Sequence, residues 1–138
     1  MRRTAAVALA LTLLLPNPLA AQAPAPPPHA WLFGEWVGGI FPPPVTLGAQ
    51  ECLAQPMVIF TRDGVMRAMM TSSAYAQREI ETARATAAGF EIQLVPGGSA
   101  SFGCANPNVL PVQRRGDNEI TFPGCTDFPF PLVRCATH

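Results

Sequence analysis

The chain contains no lysine, and its only histidines are His29 and His138, near the two ends. General acid–base catalysis near neutral pH therefore has few candidates in the body of the chain. There is no G-x-S-x-G, no H-E-x-x-H and no glycine loop that would cradle a phosphate; Gly97-Gly98 reads as a turn. Charge is sparse, at 13% of residues. Beyond Arg2-Arg3, the one adjacent basic pair is Arg114-Arg115, beside a predicted turn, where it reads as a solvated hairpin end. Binding nucleic acid needs clustered positive charge, so that class is excluded. Glu79 and Glu81 would share one face of a strand, but nothing fixes the separation that a glycosidase-like carboxylate pair requires, and they read as a solvated face. The expectation is a protein that is not an enzyme and has no cofactor and no metal.

Long apolar runs are also missing. The longest is "AAVALALTLLL", residues 5–15, with one threonine in 11 residues. A bilayer span takes roughly 20 apolar residues, so this run is too short. It follows Met1-Arg2-Arg3 and precedes "LAAQA", the three-part layout of a secretory signal peptide. Cleavage is expected after Ala21. Ala23 also fits the small-residue rule but would leave Pro24 after the cut. The mature chain then begins at Gln22 without a membrane span, in the periplasm or the medium. Removing Arg2 and Arg3 leaves seven arginines against nine acids, a formal charge of −2.

Four cysteines follow: Cys52, Cys104, Cys125 and Cys135. An even count in an exported chain predicts two disulfides, because the compartment is oxidising. Zinc favours close C-x2–4-C pairs, whereas the gaps here are 52, 21 and 10 positions. Three connectivities exist; the pairing expected is Cys104–Cys125 within the C-terminal region and Cys52–Cys135 between early and late strands.

Residues 22–30, "QAPAPPPHA", predict an extended proline-rich tail. One domain is expected over 31–138. Val58-Ile59-Phe60 and Val65-Met66 flank Asp63-Gly64, a hairpin signal whose turn residues favour positive φ. Residues 73–88 are ambiguous. Ala76, Ile80, Ala83 and Ala87 fall at helical spacing, with Ser73 as a cap and Gly89 as a stop. The flanking strand signals favour a strand instead, with a helix over 73–88 as the alternative. "FEIQLV" alternates cleanly from Phe90 to Leu94. Residues 109–114 and 119–122 flank "GDN" as a second hairpin, with Pro111 implying an edge or a bulge. "LVRC" closes the chain. Seven or eight short strands in series predict an all-β antiparallel meander, closed as a small barrel.

A meander that opens on Leu32-x-Gly34-x-Trp36 resembles the calycin group: lipocalins, avidins and the small bacterial metalloprotease inhibitors. The resemblance implies that Gly34 permits a kink and that the Trp36 indole plugs one end of the barrel. It also implies that a basic residue of the last strand, here Arg134 in "LVRC", packs on that indole. No ligand-binding residue of avidin has a match, so no biotin site is implied.

Two functions are expected from these features. One is binding of an apolar or amphipathic small molecule, with Met66, Met69 and Met70 as an adaptable lining; plain core is the competing reading of these three. The other is a protein-binding envelope module. The inhibitor family that the chain resembles enters its enzyme with its N-terminal segment, and the tail here is exposed and rich in proline.

Overall fold

The computed structural model describes residues 22–135; the expected leader, 1–21, lies outside the described residues. A 3-10 turn at Ala30–Leu32 precedes eight strands: β1 Gly34–Gly38, β2 Met57–Phe60, β3 Gly64–Ala68, β4 Tyr75–Ala85, β5 Gly89–Leu94, β6 Val109–Arg114, β7 Glu119–Thr121 and β8 Leu132–Arg134. One short helix, α1 at Ala49–Leu53, lies between β1 and β2. Each strand pairs antiparallel with the next, and β8 returns to β1 through Trp36↔Arg134, Val37↔Val133 and Gly38↔Leu132. The sheet is a closed all-β barrel, consistent with the calycin architecture.

Period-two alternation builds the wall. Trp36, Val58, Phe60, Val65, Ile92, Leu94, Leu110, Val112, Ile120 and Leu132 are all buried in one core. An eight-stranded barrel has an interior just wide enough for side chains to fill. These residues fill it, at about 1.5–3 kcal/mol for each fully buried large aliphatic side chain.

β4 is a strand, not a helix. Ile80 pairs with Leu94, but Thr82 pairs with Gln93, so Glu81 is the extra residue of a bulge. Ala76, Arg78 and Ile80 turn inward before the bulge and Ala83 after it. The hairpin at Asp63-Gly64 forms, though with another turn than expected. Neither residue has positive φ. Instead β3 starts at Gly64, and the Thr61 hydroxyl closes the loop by accepting from the Gly64 N–H (3.1 Å). Pro111 sits opposite Glu91 of β5, while β7 reaches only Gln113 and Arg114. The β5 ladder bonds fall on even-numbered β6 residues, such as Arg114 N–H to Ala88 O at 2.9 Å. The proline nitrogen therefore points to the side that β7 leaves vacant, and no ladder bond is lost.

Both predicted disulfides are present, Cys52–Cys135 and Cys104–Cys125. The first lies on the outer wall, where Cys52 and Cys135 cover Val37. Val37 points outward from β1 yet is fully buried. The second ties the loop after β5 to the loop after β7.

The chain packs further back than its composition suggests. His29, expected in the tail, is buried, and its Nε2 lies 3.2 Å from Thr61 O and 3.1 Å from Arg62 O. Both neighbours are acceptors, so Nε2 carries the proton. Exposed chain runs from Gln22 to Pro26.

Candidate functional site

The two ends of the barrel differ. The end where β1 begins carries short turns at 61–63, 86–88 and 115–118 together with the 3-10 turn. The other end carries the long loops 39–56, 69–74, 95–108 and 122–131.

The short-turn end is sealed around Trp36. Gly34 (φ 117°) and Gly38 (φ 98°) bracket β1, so the chain bends sharply on both sides of the indole. A Cβ on Gly38 would stand 2.6 Å from Pro131 O. The Trp36 indole N–H donates to Leu32 O at 2.8 Å. The Arg134 guanidinium lies 4.3 Å from the Trp36 ring centroid and donates to Phe33 O (3.0 Å) and Trp31 O (2.6 Å). Gly34, Trp36 and Arg134 thus come together. Two further members join them: Trp31, 4.8 Å from Arg134, and Arg114, 4.1 Å from Trp31. Burial, and then the positive charge of Arg114, push the Arg134 guanidinium below its ordinary pKa. The polar hydrogens of Trp36 and Arg134 at this end go to the backbone carbonyls of residues 31–33. Arg114 is an exposed hairpin-end side chain, as the sequence indicates, donating to Gly116 O (3.0 Å) and Asp117 Oδ1 (3.1 Å), and it also lies over Trp31.

Two further arginines, Arg67 and Arg78, lie inside the wall. Arg78 is buried; its Nη1 donates to Ala100 O (3.0 Å) and Pro107 O (3.1 Å), and its Nη2 to Val95 O (3.0 Å) and Asn108 Oδ1 (2.9 Å). One guanidinium therefore fastens the whole 95–108 loop. Arg67 lies 5.0 Å from the Phe128 ring and 5.9 Å from Phe102, and its Nη1 donates to Ser101 O and Asp127 Oδ2 (3.1 Å). The signal was available: both arginines sit at inward positions of their strands, two residues from Val65 and from Ile80.

The three methionines do not form one site. Met66 faces outward, between Ile59 and Gln77. Met69 and Met70 are exposed in the 69–74 loop, where they line a cleft of about 260 Å³ with Arg67 and the 99–101 segment. Among the described residues no group of three or more His, Cys, Asp or Glu side chains could hold a metal ion. No helix among them is long and apolar enough to cross a membrane.

Comparison with protein-family models, with curated proteins and with solved structures gave no match.

Proposed function

We propose that the chain is an exported protein-binding module that works from its surface, with the N-terminal arm at residues 22–28 as its recognition element. Two disulfides fit an oxidising compartment. The observation that carries the reading is the filled interior: Trp36, Phe60, Ile92, Leu94, Leu110 and Ile120 are almost wholly buried in one another's company. A barrel packed to this degree favours binding on the outside over a ligand held within.

The arm suits that role. It leaves the barrel at the buried His29, next to a turn in which the Ala30 N–H donates to Pro27 O (3.0 Å). Pro24, Pro26, Pro27 and Pro28 restrict its backbone, so little conformational entropy remains to be lost on binding. Prolines also resist cleavage, which suits a segment offered to a protease. The resemblance to the small metalloprotease inhibitors points the same way. The expected apolar or amphipathic small molecule would on this reading bind at the loops rather than in the lumen.

The test is inhibition of secreted metalloproteases by the chain starting at Gln22 and by a chain starting at Pro27, which keeps His29 and its turn. The longer chain should inhibit at least about tenfold more tightly, a difference of roughly 1.4 kcal/mol. Equal inhibition by the two would remove the arm from the mechanism. No inhibition by either would sink the inhibitor reading.

A further inference from the structure

We infer that the cleft between the 69–74 loop and the 99–101 segment binds a carboxylate carried on a compact apolar group. The inference does not depend on the arm. Arg67 supplies the cationic end of the cleft, Met69 and Met70 the apolar side, and Ser99 and Ser101 the opposite edge.

Arg67 is held for this task. Its guanidinium lies against Phe102 and Phe128, and its side chain is only 12% exposed, so its orientation is fixed before any ligand arrives. Its hydrogen bonds to the described residues leave from Nη1 alone, to Ser101 O and Asp127. The Nε–H is buried out of reach of solvent and so of a ligand in the cleft. Nη2 makes no hydrogen bond to the described residues, so its hydrogens are the ones left to donate to a carboxylate oxygen. Asp127, 43% exposed and bonded to Nη1, partly offsets the charge but does not engage Nη2.

Size sets the ligand class. The cleft of about 260 Å³ holds about nine groups of water size at about 30 Å³ each. A carboxylate with one branched side chain or a short alkyl chain fits; a long acyl chain would project from it. The flexible thioether side chains of Met69 and Met70 adapt to either shape. Two sources offer this chemistry: a free short-chain acid and the C-terminus of a polypeptide ending in an aliphatic residue.

The experiment follows the methionine methyl resonances of the chain starting at Gln22 during four titrations. The ligands are octanoate, octanol, an N-acetylated tripeptide ending in leucine, and its C-terminal amide. At least one acid should move the Met69 and Met70 methyls and bind about tenfold more tightly than its neutral counterpart. Response to octanoate alone assigns the free acid, and response to the tripeptide assigns the chain terminus. Arg67→Gln should abolish the preference for the acid. Because that variant perturbs a packed residue, Asp127→Asn supplies the opposite test: removing the competing carboxylate should tighten the acid several-fold. Equal binding of acid and neutral analogue, no methyl shift at about 10 mM of either acid, or no tightening in Asp127→Asn would overturn the inference.

Discussion

Replacing Arg134 with methionine tests the seal most directly. The variant keeps an unbranched apolar side chain over the Trp36 ring but loses the bonds to Phe33 O and Trp31 O and the contacts with two indoles. Hydrogen bonds from a charged donor contribute about 1.5–3 kcal/mol each, and the half-exposed setting argues for the lower end. The cation–π contacts add about 0.5–2 kcal/mol. Water reaching the released carbonyls and the better burial of methionine return about 1–2 kcal/mol. The net expectation is a loss of about 2–3 kcal/mol. For a domain of this size that lowers Tm by roughly 8–12 °C. The assay is guanidinium denaturation with disulfides intact, followed by tryptophan fluorescence. Both tryptophans of the chain, Trp31 and Trp36, sit in the seal, so the signal reports on it directly. Arg134→Lys should recover less than half of the loss, because an ammonium cannot lie flat on the ring while reaching both carbonyls. A loss below about 0.5 kcal/mol in Arg134→Met, or full recovery by lysine, would refute the reasoning.

Removing Cys52–Cys135, which spans 83 positions, should cost about 4.5 kcal/mol on the chain-entropy estimate, against about 3.3 kcal/mol for Cys104–Cys125, which spans 21. Denaturant midpoints of the two double-alanine variants check the order, and peptide mapping without reductant checks the pairs. Deleting Glu81 should leave a folded barrel at a cost of about 1–2 kcal/mol, because a bulge residue can leave without changing which side chains face inward. A chain that fails to fold without it would mean that β4 is wrongly understood. Tyr75 is the one tyrosine, so its phenolate absorbance titrates alone. Burial, and then the negative charge of Glu35, raise its pKa above the ordinary 10.0. The titration midpoint should therefore lie above that value and fall part of the way back in Glu35→Gln. Because the folded value is raised, the linked stabilisation is complete below the unfolded pKa and is lost as pH rises through the folded one.

The sequence was informative wherever a local rule governed the outcome. "FEIQLV" alternated and became β5, and the cysteine spacings suited two bridges rather than a metal. The ambiguity at 73–88 has a physical source. A strand turns every second residue inward; the inserted residue, Glu81, lengthens one inward step to three, from Ile80 to Ala83, and the inward residue at 78 is an arginine, so the apolar members Ala76, Ile80 and Ala83 stand four and then three positions apart. That is the spacing of a helix face, so a bulged strand and an amphipathic helix write the same pattern. Asp63-Gly64 marks the position of the turn but not its geometry, because the Thr61 hydroxyl closes it and removes the need for positive φ. The candidate site was the least legible part. Arg67 and Arg78 sit at inward positions, where an apolar residue is the default expectation, and their acceptors come from loops 17 to 60 positions away. His29 was hidden by its proline-rich neighbours, although its carbonyl partners lie on the hairpin that the sequence did reveal.

The Cys52–Cys135 bridge encloses β2 through β8 in one covalent ring and leaves β1 outside it. Only the stretch between Gly38 and Cys52 tethers that first strand, and residues 45–48 of it are exposed. A single cut there would turn the protein into a two-piece assembly. The short piece would carry both indoles and the arm, and it would be held by strand pairing on its two edges and by the Arg134 contacts. Such a piece could be withdrawn under mild denaturant and exchanged for a synthetic peptide with a labelled ring or a different arm.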